Sequence, residues 1–224
     1  MKNRLIHGDF MLNRLRNESI DLLVTDPPYL VRSGGNRRPK GYYGGNSIGS
    51  NYNNDGKIVK HQLALSLWLP EAYRVLKSSA DIYVMSDARN LHFTIHELKK
   101  AGFRFHNVLV WHKSNSGTPN RWYMKNLEFV LYFFKGQARR INNVGDNQLF
   151  SIPNVKGKSH PTEKPVELMS RLIANSSKPG QVVLDPFCGS GSTLIAAHSL
   201  KRKYIGYEID LGFYQVSQSR LLTL

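Results

Sequence analysis

Val182-Val183-Leu184-Asp185-Pro186-Phe187-Cys188-Gly189-Ser190-Gly191-Ser192-Thr193 is the stretch that decides how this chain folds. Its apolar start, ending in Asp185, reads as a buried strand. Gly189 and Gly191 permit a tight turn, and Ser192 or Thr193 supplies a side-chain cap for the helix that follows. Such a turn lets backbone approach a ligand closely. No Gly-Lys-Ser/Thr string follows, which excludes a P-loop, and Leu194 stands where the dinucleotide fingerprint has its third glycine. A nicotinamide or ATP site is therefore a poor fit. About 20 residues further on, Glu208 ends the next apolar run, where a carboxylate can accept hydrogen bonds from both hydroxyls of a ribose. That suits an adenosine without a pyrophosphate. A plain strand-to-helix turn with a surface glutamate explains the glycines alone, but not an acid at this offset. Cys188 has no base beside it and reads as a small packing residue of the turn.

Outward from this turn, short apolar runs ending in Asp or a turn residue alternate with helix-like segments, the pattern of an α/β fold with a largely parallel sheet. Strands are expected at 4–7, 21–25, 80–86, 108–111, 129–134, 182–184 and 204–207, and helices at 62–76, 91–101, 165–176, 192–200 and 213–222. The runs around Trp111 and Phe129 leave no room for a crossover helix, so they should pair as an antiparallel hairpin. Two stretches break the pattern. Residues 30–60 are dense in Gly and Asn and carry Arg37 and Arg38, and residues 136–159 are poor in core residues and carry Arg139 and Arg140. Both read as surface loops. No internal repeat is present.

The whole chain, 224 residues at 41% hydrophobic, suits one domain with one substantial core. Its 31 Lys and Arg against 16 Asp and Glu leave a formal charge of +15, which favours a polyanionic partner. A single cysteine cannot make an intrachain disulfide, no apolar run approaches a membrane span, and the amino end lacks a signal-peptide core. A cytoplasmic protein without a metal site is the expectation.

The chemistry is carried by Asp21-Leu22-Leu23-Val24-Thr25-Asp26-Pro27-Pro28-Tyr29, which sets an acid, two prolines and an aromatic at the carboxyl end of a buried strand. Open α/β sheets bind their ligands there. A nucleobase amino group is a poor nucleophile because its lone pair is delocalised into the ring. The Asp26 carboxylate and the Pro27 carbonyl can each accept one of its N–H bonds, turning the lone pair toward a methyl sulfonium, with Pro27 and Pro28 stiffening the strand end and Tyr29 stacking on the base. A strand end closed by a Pro-Pro turn is the plain alternative, and the full tetrapeptide argues against it.

With both segments in view, nearly the whole chain resembles the β-class DNA amino-methyltransferases of restriction-modification systems and of orphan bacterial or phage systems. The resemblance implies a Rossmann-like, S-adenosylmethionine-dependent methyltransferase fold: a mostly parallel seven-stranded sheet with an antiparallel hairpin, circularly permuted. Asp26 to Tyr29 match the catalytic segment. Asp185, Pro186, Phe187, Cys188, Gly189, Gly191 and Thr193 match the cofactor segment, which follows the catalytic one as in that family. His160, Thr162 and Lys164 resemble the segment that holds the cofactor's methionine part, and Asp9 the acid near its adenine. Trp111-His112-Lys113 and Leu127-Glu128-Phe129 resemble the hairpin arms. Permutation implies that the strand before Asp9 lies beside the strand before Glu208.

The target base must be flipped out or single-stranded to reach Asp26. Arg37, Arg38, Arg139 and Arg140 are candidate phosphate contacts, and Arg121, Trp122, Tyr123 and Lys125 combine charge with aromatic faces. The insert at 136–159 is short for a target-recognition segment, so the target is short, loosely specified or read with a second subunit of a homodimer. Asp at position 26 and the Asp-Pro-Pro-Tyr form favour N6 of adenine. An N4-cytosine enzyme, an RNA amino-methyltransferase and a non-catalytic DNA-binding relative stay open, whereas cytosine-C5 transfer needs an attacking thiolate that Cys188 does not offer. If the basic stretches grip phosphates, neutralising Arg37 with Arg38, or Arg139 with Arg140, lowers the slope of log K against log salt by about 0.9 per lost contact. Titrations at several salt concentrations read that slope directly, and parental slopes in both double variants would place the DNA path elsewhere.

Overall fold

β2 (Ile20–Thr25) is buried along its entire length, which requires it to be a central strand covered on both faces. The computed structural model describes residues 2–28, 60–115, 123–155 and 163–224. The other elements are β1 (Arg4–His7), a 3-10 turn (Phe10–Leu12), α1 (Lys60–Val75), β3 (Leu76–Ser86), α2 (Leu91–Lys100), β4 (Arg104–His112), β5 (Leu127–Phe134), β6 (Leu149–Ser151), α3 (Val166–Ser176), β7 (Val182–Asp185), α4 (Ser192–Ser199), β8 (Lys203–Glu208) and α5 (Leu211–Leu222). They build one open sheet in the order β1-β8-β7-β2-β3-β5-β4-β6. All neighbours are parallel except β3 with β5 and β5 with β4. The hairpin of β4 and β5 is thus antiparallel, as its short connection demands.

The sheet has eight strands among the described residues, not the seven expected. The additional one, β6, lies inside the 136–159 insert and pairs in parallel with β4, from Val110 with Leu149 to His112 with Ser151. Only Phe150 of its three residues is buried, so no apolar run marks it in the sequence. β3 also starts earlier than the expected position 80. Its register with β2 slips between Ile20 and Leu22, and Ser79 takes a left-handed φ of 63° where the slip is absorbed.

Alternating side chains feed two cores, one on each face. Leu23, Ile82, Val84, Leu131, Phe133, Leu184 and Ile205 pack with α1 and α2 residues such as Trp68, Leu69 and Leu98. Leu22, Val24, Tyr83, Met85, Val130 and Val183 pack with Leu168, Leu172, Ile173 and Ala196 of α3 and α4. α5 lies against α4, β8 and β1. β1 and β8 run in parallel with His7 level with Glu208, as the resemblance implies.

β8 depends on a position without a side chain. A Cβ at Gly206 would stand 2.5 Å from Leu194 Cδ1 and 3.0 Å from Cys188 Sγ. Gly206→Ala is therefore expected to cost about 1–3 kcal/mol through overpacking, read as a lower urea midpoint. A parental midpoint would mean that the Leu194 and Cys188 side chains yield freely.

Candidate active site

Register sets the site. Leu23 is level with Leu184, Asp185 with Gly206 and His7 with Glu208, so Asp26, Asp185, Glu208 and Asp9 all stand at the carboxyl ends of adjacent strands. The chain leaves β2 through α1 toward β3 on one face, and leaves β7 through α4 toward β8 on the other. The boundary of β7 and β2 is therefore the switch point at which open α/β sheets form a crevice.

The β7 side carries the glycine turn and Glu208. Gly189 and Gly191 both adopt left-handed φ, 52° and 85°. A Cβ at Gly191 would lie 2.3 Å from Ser217 Oγ, so the turn presses against α5 with no room for another residue. Glu208 accepts the Gly189 N–H on Oε2 (2.9 Å) and the Asp210 N–H on Oε1 (2.8 Å). Burial pushes its carboxyl up, against the backbone N–H groups that stabilise the charge. Each oxygen retains a lone pair for a hydroxyl. Asp9 stands at the neighbouring strand end, and its Oδ1 accepts the Met11 N–H (2.9 Å) to cap the 3-10 turn. Cys188 is buried, and burial pushes its thiol well above the ordinary range, as befits packing and not attack.

Asp185 accepts from Thr25 Oγ1 (2.7 Å) and from the Phe187 N–H (3.1 Å). Burial pushes its carboxyl up to about 6, against hydrogen bonds from Thr193 and Thr25. Pro186 and Phe187 follow it into the turn, Phe187 packing edge-on against Trp68.

The β2 side carries a chain of charges. Lys164 Nζ lies 2.6 Å from Asp26 Oδ2 and 3.2 Å from Glu128 Oε2, and Lys113 Nζ lies 2.5 Å from Glu128 Oε1. Burial raises the Asp26 carboxyl while Lys164 opposes it. Burial also works to raise Glu128, but Lys164 and Lys113 together outweigh it and hold that carboxyl below the usual range. Asp26 Oδ1 is buried and accepts no hydrogen bond from any described residue. It is an acceptor prepared for a donor, since leaving it unmet costs free energy.

Several expected site residues thus meet here: Asp9, Asp26, Asp185, Gly189, Gly191 and Glu208 share one rim. Lys164, expected at the cofactor, contacts Asp26 and Glu128. Lys125 and Tyr123 are exposed in the β4–β5 connection, which opens on the same rim. Arg139 is not brought there. Its guanidinium is 3.5 Å from the Asp21 carbonyl, at the opposite end of β2, and Arg140 follows it on the exposed chain. Tyr29, Arg37, Arg38, Arg121, Trp122, His160 and Thr162 lie outside the described residues. Glu128 and Lys113 were legible only as hairpin arms. Their sign as site residues was a charge of each kind beside apolar strand ends. Arg220 is a further contributor: it donates to the Ser190 carbonyl (2.8 Å) and pairs with Glu163 (3.1 Å), tying α5 to both motifs. Among the described residues no cluster suits a metal ion and no helix is long and apolar enough to cross a membrane.

Fold and rim together set a glycine turn and Glu208 on one side of the switch point and Asp26 with its lysine on the other. The chain belongs to the DNA methylase family N6_N4_Mtase, which matches residues 20–219. It is 29% identical to the type II methyltransferase M.HinfI of Haemophilus influenzae, over 98% of this chain and 68% of that protein. With M2.MboI of Moraxella bovis the identity is 31%, over 95% of this chain and 84% of that one. The fold matches that of the M1.HpyAVI–SAM complex with a TM-score of 0.73 at 24% identity, covering 97% and 98% of the two chains. This chain is accordingly a DNA methyltransferase.

Asp185 provides a stability test. Between about pH 4 and 6 the folded chain holds a proton there that the unfolded chain has released, so stability falls as pH rises through that window. In cofactor-free protein, Asp185→Asn should gain stability relative to the parent across the same window, by up to about 3 kcal/mol, and level off above it. Parallel urea midpoints for the two proteins from pH 4 to 7 would refute it.

Proposed function

We propose that this chain is a single methyltransferase domain that moves a methyl group from S-adenosylmethionine to N6 of adenine in DNA. The observation that carries the reading is the rim order: a ribose acceptor at Glu208, the glycine turn, Asp185, and then Asp26 with one oxygen unmet. S-adenosylmethionine, when bound, supplies the electrophilic methyl. Glu208 would accept the ribose hydroxyls, the Gly189 to Gly191 turn would let backbone approach the nucleoside, and Asp9 would serve its adenine end. Asp26 Oδ1 accepts one amino N–H and the Pro27 carbonyl the other, which localises the nitrogen lone pair for attack. Attack by that nitrogen would exchange the methyl's bond to sulfur for one to nitrogen, and Asp26 or water would take the proton that nitrogen sheds. Pro28 stiffens the strand end, and Tyr29 is the residue assigned to stack on the base.

The β1–β8 pairing supports a circularly permuted order in which the acid near the adenine comes first in the chain. For DNA, Tyr123 and Lys125 stand exposed in the β4–β5 connection, Arg121 and Trp122 directly precede them in sequence, and Arg37 and Arg38 follow Pro28 in sequence. These are the phosphate and stacking contacts of the reading. Arg139 and Arg140, at the far end of the sheet, are not. We place the protein in a bacterial cytoplasm, as a modification enzyme like its relatives from Haemophilus influenzae and Moraxella bovis.

Incubation with labelled S-adenosylmethionine and unmethylated DNA, followed by digestion to nucleosides, should yield N6-methyladenine. Asp26→Ala should lower turnover by about 100-fold or more while cofactor affinity changes little, because the carboxylate acts chiefly in the transition state. N4-methylcytosine as the only product would overturn the base assignment. Turnover within about tenfold of the parent would remove Asp26 from the chemistry.

A further inference from the structure

Lys113, Glu128, Lys164 and Asp26 form a line of alternating charge that joins three separate parts of the chain: the β4–β5 hairpin, the segment before α3, and the end of β2. Its hairpin end is fixed. The Lys113 N–H donates to the Asn126 carbonyl (2.8 Å), its ammonium sits over the Trp111 ring at 5.3 Å, and Trp111 Nε1 donates to the Ile152 carbonyl (2.8 Å). Lys164 is buried. A buried ammonium needs its N–H donors met, and a carboxylate that loses such a partner is left at high cost.

We infer that Glu128 is a positioning residue for methyl transfer: by sharing the Lys164 ammonium with Asp26 it keeps that ammonium on Oδ2 and leaves Oδ1 for the amino group of the base. This inference rests on the proposed role of Asp26. The Lys164 ammonium lies 3.2 Å from Glu128 Oε2, an ion pair without a directed hydrogen bond, and 2.6 Å from Asp26 Oδ2, so Glu128 pulls on it by charge from the hairpin side. Without that pull, both Asp26 oxygens compete for the ammonium, and an oxygen engaged by a cation is a weaker acceptor for a neutral amine. The hairpin thus orients a carboxylate on a strand two positions away in the sheet, since β3 lies between β2 and β5.

The groups facing Asp26 are Lys164, Glu128 and Lys113, with Asp185 at the neighbouring strand end. Glu128 acts to raise the Asp26 carboxyl and Lys113 to lower it, so removing each charge has an opposite effect. The test uses the full chain with DNA and labelled S-adenosylmethionine. Glu128→Gln should lower kcat by about tenfold or more, with KM for DNA within about threefold and cofactor affinity by calorimetry retained. It should also move the acid limb of the kcat–pH profile to lower pH. Lys113→Met, which removes the opposite charge and leaves Glu128 in place, should move that limb to higher pH, and it tests the line independently should Glu128→Gln fail to fold. A purely structural role predicts no such opposed shifts. Limbs that stay in place or move in the same direction, or kcat of Glu128→Gln within about threefold of the parent, would overturn the inference while an active parent leaves the proposed function standing. A parent that methylates no DNA would overturn both.

Discussion

The hydrogen bond from Thr25 Oγ1 to Asp185 Oδ1, 2.7 Å long and buried, spans the switch point between the parallel strands β2 and β7. On one side of it lie β7, β8 and β1 with the glycine turn and Glu208. On the other lie β2 and the hairpin with Asp26 and its lysines. Parallel pairing between β2 and β7 covers only Leu22 with Val183 and Leu23 with Leu184, so backbone bonds leave the strand ends to be aligned by side chains. Asp185, which also receives the Phe187 N–H, therefore fixes the approach of the two halves. A buried hydrogen bond of this kind contributes modestly to net stability, but losing one partner leaves the other unmet. The burial that raises the Asp185 carboxyl to about 6 follows from this bridging position.

The 136–159 insert divides its length between two tasks. Its first part grips the end of α3: Asn142 donates to the Ala174 and Ser177 carbonyls, and Asp146 pairs with Arg171 and accepts from Asn175 (2.7 Å). Arg171 holds Asp146 well below the ordinary carboxylate range, at about 2. The later part climbs the sheet edge as β6, and Phe150 enters the core beneath Arg171. Much of this short stretch is thus committed to packing, which leaves the β4–β5 connection with Tyr123 and Lys125 as exposed surface on the same rim as Asp26.

The sequence made the inner strands legible because they are apolar on both faces, as in Leu22-Leu23-Val24 and Val182-Val183-Leu184. It made the rim legible because strand ends carry Asp9, Asp26, Asp185 and Glu208, and register follows once those strands are parallel. β6 was hidden because three residues with one buried side chain give no period. The early start of β3 was hidden because Lys77, Ser78 and Ser79 are polar and the last has a positive φ. The line from Lys113 to Asp26 was illegible for a different reason. Its members come from separate segments, and only the folded sheet brings each within 3.2 Å of the next. Net charge, likewise, cannot say at which end of a strand an arginine such as Arg139 will stand.

The pairing of β1 with β8 has a bearing on biosynthesis. Arg4 meets Ile205, and Asn3 Oδ1 accepts the Tyr204 N–H (3.3 Å). During translation β1 emerges some 200 residues before β8, its sheet neighbour among the described residues, and contacts this distant in sequence form slowly. The growing polypeptide must carry an unsatisfied strand edge, with Leu5 and Ile6 beside it, until β8 clears the ribosome. Asp9 joins Glu208 only at that moment. The rim formed by Asp9 and Glu208 is therefore completed late in synthesis.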